Sequence, residues 1–236
     1  KGSIYSEIAA TYNDLNNYKK AKEYILKSIE YSTKINNLHS VNFAQITHGK
    51  IESKFENYKN AVTILEKAGN YFYELGDIGY ASVCDFNLGI ANYHLSNFSK
   101  SIYHLNKSIG FAAKSNSVDN HALTLTYLAK NYIKLNKIEE AKKNIELAKS
   151  LVKNKKDFPF YTAILYTEID YFKKINNYPK AFDLITSKDS IEKIIAQKSN
   201  IVNLNELEAK YQTEKKEQQI KLLSTQNELA QKQKYI

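Results

Sequence analysis

Apolar residues recur along this chain at intervals of three and four, which is the spacing of one face of an α-helix. The first such stripe consists of Tyr5, Ile8, Ala9 and Tyr12. After a short polar turn, a second segment carries a seam formed by Ala21, Ile25 and Ser28. Equivalent seams follow at Ala61, Leu65 and Ala68, at Ser101, Leu105 and Ser108, and at Ala141, Ile145 and Ala148. The pattern therefore predicts amphipathic helices that come in pairs.

The turns within these pairs recur with a fixed period of forty residues. Each turn phrase ends in an aromatic or aliphatic residue, and a small residue follows three positions later. Those small residues are Ala21, Ala61, Ser101, Ala141 and Ala181. Asparagine in the turns tolerates the left-handed backbone that ends a helix where glycine is missing. Such a period is typical of an array in which one supersecondary unit stacks on copies of itself.

Over about residues 3–190, these positions resemble the tetratricopeptide repeat. The shared features are a small eighth residue, an aromatic residue near the eleventh, alanine at the twentieth and a small residue at the twenty-seventh. Because the period is forty rather than thirty-four, we expect helices that are longer by about a turn. The usual tryptophan and closing proline are missing. The fifth copy has drifted to Glu168 and Ile169, as expected of a terminal repeat.

The resemblance implies an all-α protein, an α-solenoid of five tetratricopeptide-like helix pairs followed by a long C-terminal helix. We place the repeats at about residues 2–40, 41–80, 81–120, 121–160 and 161–198. The array then occupies residues 1–190, and the long helix occupies residues 199–236. Only 7 glycines and 2 prolines are present, which agrees with a chain that is helical nearly throughout.

In this family, the first helix of each repeat lines a concave groove. The inward positions place Lys50 with Lys54 and Lys130 with Lys134, and residues four apart lie on one helical face. We expect a ligand-binding groove formed by Lys50, Lys54, Phe86, Tyr93, His94, Lys130, Lys134, Tyr166 and Lys174. A lysine-rich groove with aromatic neighbours suits an extended peptide or protein segment that carries carboxylates. The alternative is that a lysine-rich chain places lysine on any solvated surface.

The amino-acid composition argues against several classes of function. The net charge is +9, but all 34 basic residues are lysine. Because bidentate recognition of guanine or phosphate depends on the arginine fork, this argues against nucleic-acid binding. The single cysteine, Cys84, excludes a disulfide framework, and no nucleotide-binding, zinc-protease or serine-hydrolase motif is present. With carboxylates expected on solvent faces, we expect no catalytic, cofactor or metal site.

Residues 203–236 contain neither glycine nor proline and are rich in Glu, Gln, Lys, Leu and Ala, which predicts a continuous helix. We expect this helix to form a homodimer through a heptad stripe with one stutter. The stripe consists of Leu204, Leu207, Tyr211, Leu222 and Leu229. Because it is too narrow to be stable alone, the helix needs either a partner helix or the array itself.

The segment from Glu206 to Glu217 resembles the juxtamembrane helix of repeat-containing sensor histidine kinases of Bacteroidetes. That resemblance implies the non-catalytic sensor region of a two-component kinase, at the periplasmic face of the inner membrane. It also implies a membrane span after Ile236. The ligand would be a peptide or protein, and its binding would be signalled through the C-terminal helix. A related group carries a helix-turn-helix DNA-binding domain instead. A soluble cytoplasmic scaffold, or adaptor, is the other alternative.

Overall fold

A computed structural model describes residues 1–114, 118–152, 159–187 and 212–228. The helices are α1 Gly2–Asp14, α2 Tyr18–Lys34, α3 Leu38–Lys54, α4 Tyr58–Glu74, α5 Ile78–His94, α6 Phe98–Lys114, α7 Val118–Lys134, α8 Ile138–Leu151, α9 Pro159–Lys174, α10 178–187 and α11 212–228. No strand occurs in these ranges. The predicted all-α fold is confirmed, and α2 to α7 have 17 residues each, as the long period predicts.

Each three-residue turn ends one helix and begins the next. In the first turn, the N–H of Asn16 donates to the carbonyl of Asn13 at 3.0 Å, and the N–H of Asn17 donates to that of Tyr12 at 2.8 Å. These two bonds form a Schellman motif around Asn16, whose φ is 55°. The side chain of Asn17 then accepts from the N–H of Lys20 at 3.3 Å, so it caps the following helix.

Left-handed residues recur every twenty positions rather than every forty, because the turns between pairs have the same design. They are Asn16, Asn36, Glu56, Gly76, Ser96, Asn136 and Asn176. The role expected of asparagine within the pairs is confirmed at Asn16, Asn136 and Asn176. Glu56 and Ser96 adopt the same conformation, which shows that the paired hydrogen bonds impose it on residues that prefer it less.

The helices form a curved array. Each of the helices α1 to α8 packs against the next along the chain, and the first helices of successive pairs also touch, joining α1 to α3, α3 to α5, α5 to α7 and α7 to α9. Among the described helices, the second members α2, α4, α6 and α8 make no such contacts with one another. Helices inside a curve approach each other more closely than those outside it. The first helices therefore form the concave face of the solenoid.

Close approach within a pair depends on a small residue in the first helix. A Cβ atom at Gly49 would lie 2.6 Å from Cγ of Leu65, and one at Gly89 would lie 2.6 Å from Cδ2 of Leu105. The equivalent positions in the first and fourth pairs hold alanine, with isoleucine in the same apolar cluster: Ala9 with Ile25, and Ala129 with Ile145. The small positions predicted from the sequence therefore bring the paired helices together.

Buried carboxylates correct the expectation that all of them face solvent. Glu52 is 1% exposed, forms an ion pair with Nζ of Lys22 at 2.6 Å, and accepts hydrogen bonds from Nδ2 of Asn60 at 2.9 Å and Nδ2 of Asn57 at 3.1 Å. Burial alone would raise the pKa of Glu52. The ion pair with Lys22 and the hydrogen bonds from the two asparagines outweigh burial and lower this pKa to about 2. Glu52 therefore links α2, α3 and α4 as an anion.

Two further carboxylates lie between layers. Asp85 is 2% exposed and accepts hydrogen bonds from Oη of Tyr73 and from Nδ1 of His104, the latter at 2.7 Å. Glu168 is 9% exposed, and Nζ of Lys149 donates to its two oxygens at 2.6 and 2.8 Å. Each carboxylate joins consecutive helix pairs or helices, so the array contains polar contacts as well as apolar seams.

The last described helix, α11, returns to the start of the array. Oη of Tyr12 donates to Oε1 of Glu217 at 2.8 Å, and Ile220 packs against the apolar cluster of α1 and α2. Leu222, from the predicted dimer stripe, is 59% exposed. The other members of that stripe, Leu204, Leu207, Tyr211 and Leu229, lie outside the described residues.

Replacing Gly49 by alanine is expected to lower the free energy of unfolding by about 1–3 kcal/mol, because the added Cβ overlaps Leu65. Gly110→Ala is the matched control, since a Cβ there meets nothing within 4 Å. Alanine at that exposed helical position should stabilise the protein by about 0.5–1 kcal/mol. Urea unfolding followed by circular dichroism measures both changes. Effects of the same sign at the two sites would contradict the packing described for Gly49.

Glu52→Gln is expected to destabilise the protein by about 2 kcal/mol at pH 7, because the charge-assisted bond from Lys22 is lost. The folded pKa of Glu52 is about 2 against an ordinary value of 4.5. Its stabilisation is therefore fully present above pH 4.5 and is lost as the pH falls towards 2. Urea unfolding across this range should show the two proteins converging. A difference that stays constant, as expected for the exposed Glu66→Gln control, would show that Glu52 is not held as an anion.

Candidate functional site

Three depressions follow the concave face of the array. The N-terminal depression has a volume of about 460 Å³, the middle one about 180 Å³ and the C-terminal one about 350 Å³. Each is bounded by first helices of neighbouring pairs, with α1 and α3 at one end and α7 and α9 at the other. The concave face therefore offers a row of separate sites along one surface.

The C-terminal depression is strongly basic. It is lined by Tyr93, Lys130, Ile133, Lys134, Asp170, Lys173 and Lys174. Nζ of Lys130 lies 4.7 Å from the ring centroid of Tyr127. Burial lowers the pKa of Lys130, and the opposing effect of Asp170 does not offset it. Four ammonium groups thus share a concavity with one carboxylate, so its chemistry favours an anionic group.

The middle depression combines a lysine with rings and hydroxyls. It is lined by Lys50, Ser82, Val83, Phe86, Asn87, Ser108, Phe111 and Asn120. Lys50 is open to solvent, but the surrounding concave surface removes part of its hydration, and this desolvation lowers its pKa. A carboxylate of a ligand beside Lys50 would form an ion pair with it, while the two phenyl rings would contact an apolar group of the ligand.

The groove lysines have no ionic partner in the described part of the chain. Lys50, Lys130, Lys134 and Lys174 form no ion pair there. In contrast, the lysines between the layers are matched with buried carboxylates, as Lys22 is with Glu52. The positive charge of the concave face is therefore available to a ligand.

The N-terminal depression was not predicted from the sequence. Aromatic residues form one wall, with the rings of Phe43 and Tyr80 5.3 Å apart and those of His39 and Tyr80 6.1 Å apart. The opposite side is formed by residues of α1, including Glu7, its one carboxylate. The signal that could have revealed it is His39 four residues before Phe43, which places two rings on one face of α3.

Three predicted site residues lie outside the depressions. Nζ of Lys54 lies 5.9 Å from the ring centroid of Tyr18. His94 stacks on Tyr58 with a centroid distance of 4.6 Å, and burial and the charge of Lys130 lower its pKa. Tyr166 is 47% exposed. The structure thus gathers Lys50 with Phe86, and Tyr93 with Lys130, Lys134 and Lys174, but does not join them into one pocket.

Other chemistry has little support among the described residues. Their histidine, cysteine and acidic side chains form no group of three that could hold a metal ion. The thiol of Cys84 is buried, which raises its pKa to about 12, so it is not a reactive thiolate. Within the same ranges, no helix combines the length and hydropathy needed to cross a bilayer.

Comparison with known proteins agrees with this architecture. Residues 2–34 match the tetratricopeptide repeat family. No curated protein matches the chain in sequence. A putative kinesin light chain of Podosopora anserina, with nearly identical TPR-like repeats, superposes with a TM-score of 0.63 at 14% identity, over 80% of this chain and 93% of that one.

Two signalling proteins are also similar in structure. The Signal Transduction ATPase with Numerous Domains from Pyrococcus horikoshii, which has a tetratricopeptide repeat sensor, has a TM-score of 0.54 at 23% identity. That match covers 86% of this chain but 30% of the ATPase. A Rap protein complexed with Competence and Sporulation Factor has a TM-score of 0.58 at 16% identity, over 98% of this chain and 63% of that one. The helix pairs, the concave face and these similarities together establish a tetratricopeptide-like solenoid fold.

Proposed function

We propose that this chain is a non-catalytic interaction module whose concave face binds an acidic peptide or an acidic segment of a partner protein. The observation that carries the proposal is the pair of depressions in which Lys50 and Lys130 adjoin aromatic rings and form no ion pair with a carboxylate of the described residues. Both lysines are already partly desolvated, as their lowered pKa values indicate. A bound carboxylate therefore gains a charge-assisted hydrogen bond without the full cost of dehydrating the lysine.

The two basic depressions are separated along the array, which favours an extended ligand over a compact one. Lys50 belongs to α3, whereas Lys130 and Lys134 belong to α7, two helix pairs further along the concave face, so that the complete pair of α5 and α6 lies between them. A ligand that uses both sites needs carboxylates at two separated positions. The Rap protein of similar fold is complexed with Competence and Sporulation Factor, which supports a ligand-binding role for a fold of this kind.

The proposed biological context is the sensor region of a two-component histidine kinase, at the periplasmic face of the inner membrane. The amino-acid sequence of the tail from Glu206 to Glu217 supports this context, because it resembles the juxtamembrane helix of such kinases. A similar fold serves as a sensor in the Pyrococcus horikoshii ATPase. On this proposal a membrane span follows Ile236. Ligand binding changes the packing of the repeats, and the C-terminal helices of a dimer transmit the change.

The alternatives are a soluble cytoplasmic scaffold and the sensor region of a helix-turn-helix regulator. The exposure of Leu222 and Leu223, 59% and 49%, favours a tail that pairs with another helix in any of these contexts. The sequence after Ile236 discriminates among them. About twenty apolar residues would support the membrane-bound kinase, a polar stretch would support the scaffold, and a DNA-binding domain would support the regulator.

Reversing the groove charge is expected to abolish binding of acidic peptides. The variant carries glutamate at Lys50, Lys54, Lys130 and Lys134. Titrating a fluorescent peptide with two separated Asp/Glu clusters should show at least tenfold weaker binding, because attraction at two sites becomes repulsion. A control variant carries glutamate at Lys59, Lys67, Lys100 and Lys142, which are exposed lysines of second helices. Because both variants change the net charge equally, similar affinities for the two would remove the concave face from the proposal.

The isolated chain is expected to dimerise through α11 at high concentration. Sedimentation should show a concentration-dependent dimer that is lost when Leu222 and Leu223 are both replaced by aspartate, because charges at an apolar helix contact are costly. Leu26→Asp is the control, since Leu26 is a 43% exposed leucine of α2. A chain that stays monomeric at all concentrations, or a Leu26 variant that also loses the dimer, would contradict dimerisation by the tail.

A further inference from the structure

The helix α11 stands where the second helix of a preceding repeat would stand. Inside the array, Tyr58, Val62 and Leu65 of α4 pack with Leu88 and Ala91 of the following first helix. Glu217 and Ile220 of α11 face α1 and α2, and their spacing of three is that of Val62 and Leu65 in α4. The tail therefore continues the packing of the array beyond its first helix.

One polar contact confirms this equivalence. Within the array, Lys22 of α2 bonds to Glu52 of the next first helix at 2.6 Å. Tyr12 holds the position of Glu52 one period earlier, and it bonds to Glu217 of α11. Glu217 thus takes the place of the lysine, and the first repeat accepts α11 as it would accept another repeat helix.

The contact is mainly polar. Besides the bond from Tyr12, Nζ of Lys20 donates to Oη of Tyr12 at 3.1 Å. Burial and a hydrogen bond with Glu217 both raise the pKa of Tyr24. Nζ of Lys216 lies 2.9 Å from Oε2 of Glu7 at the edge of the contact. Glu217 therefore accepts from Tyr12 and places its negative charge near Tyr24, and the ion pair of Lys216 with Glu7 lies beside them.

The apolar part of the contact is small, which sets the strength of docking. The array helix α4 buries Ala61, Leu65, Ala68, Gly69 and Phe72. In α11, Thr213 is buried, while Ile220 is only partly buried in the cluster of α1 and α2. Since apolar burial supplies most of the stability of a docked helix, α11 is held far more weakly than a helix of the array.

The position of α11 links the two ends of the array. It follows α10 in sequence, at the last repeat, but it contacts α1 and α2 of the first. The helix α1 also lines the N-terminal depression, through Ser3, Ser6, Glu7 and Ala10, and Glu7 is the residue that Lys216 contacts. A change in curvature, or a group bound at Glu7, therefore acts on the docking of α11.

We propose that α11 is a reversible latch that docks on the first repeat of its own chain and couples the curvature of the array to the tail. The docking of α11 does not depend on the proposed groove ligand. Only the idea that this ligand changes the curvature of the array rests on the proposed function. When the latch opens, the tyrosines Tyr12 and Tyr24 and the apolar edge of α1 become accessible, and α11 is free to change its orientation.

Hydrogen–deuterium exchange of the full chain tests the latch without any ligand. Ile220→Asp should reduce the protection of α11 at least about tenfold, because it places a charge against the apolar cluster. Gln219→Asp, which adds the same charge at the exposed neighbouring position, should leave the protection unchanged. Equal loss in both variants, or no loss in either, would overturn the docking. Because dimerisation would also protect α11, exchange is measured at a concentration where sedimentation shows a monomer, and an unprotected α11 there would overturn docking within one chain.

A charge exchange tests the polar part of the latch. Glu7→Lys and Lys216→Glu should each lower the protection of α11 about two- to fivefold, as expected for an exposed ion pair. The double variant should restore it. Glu217→Gln should lower the protection of α11 about tenfold because the hydrogen bond from Tyr12 loses its charged acceptor, whereas Glu228→Gln on the same helix should leave the protection unchanged. Failure of the double variant to restore protection, or equal effects at Glu217 and Glu228, would overturn the polar latch.

Discussion

The contact between a small residue in the first helix of a pair and a large aliphatic residue in the second sets the geometry of the array. At Gly49 and Gly89 there is no room for even one further carbon, because a leucine of the second helix occupies that space. This contact fixes the distance between paired helices, and repetition of the pairs then fixes the curvature. The concave face, with its three depressions, is a consequence of that repeated contact.

The turns make this repetition possible. Each one combines a left-handed residue, two backbone bonds and, in several turns, a side-chain cap such as Asn17 within three positions. Because these bonds determine the backbone path, Glu56 can stand where Asn16 stands elsewhere. The sequence period of forty arises from packing, since first and second helices bury different residues. The backbone itself repeats every twenty residues.

The fold could be predicted from the sequence because its determinants are local. Small residues, turn residues and helical stripes all lie within one repeat. Because they recur in several repeats, the pattern stays recognisable despite exceptions such as Ile169. Contacts between distant residues could not be predicted in the same way. Lys22 and Glu52 belong to different helix pairs, so no short spacing links them. The contact of Tyr12 with Glu217 spans most of the chain and depends on the path of residues between them.

The candidate site was predicted in part for the same reason. Lys130 and Lys134 lie four apart on one helix, so their common direction follows from helix geometry alone. The N-terminal depression needs residues of α1, α3 and α5 to converge, which only the packed array determines. Burial also decides which charges are paired, and sequence spacing does not report burial. Glu52 and Asp85 were therefore assigned to the surface although both lie inside.

The distribution of charge separates structural lysines from those available for binding. Lys22 and Lys149 neutralise buried carboxylates, so their positions are tied to the stability of the array. Lys130 and Lys134 have no such role, and like charges four apart destabilise a helix by a few tenths of a kcal/mol. A local arrangement that weakens the fold without a compensating contact is what a functional surface shows. Within the part of the chain that the structure describes, the concave lysines fit that description, and a ligand that brings carboxylates would supply the compensating contact.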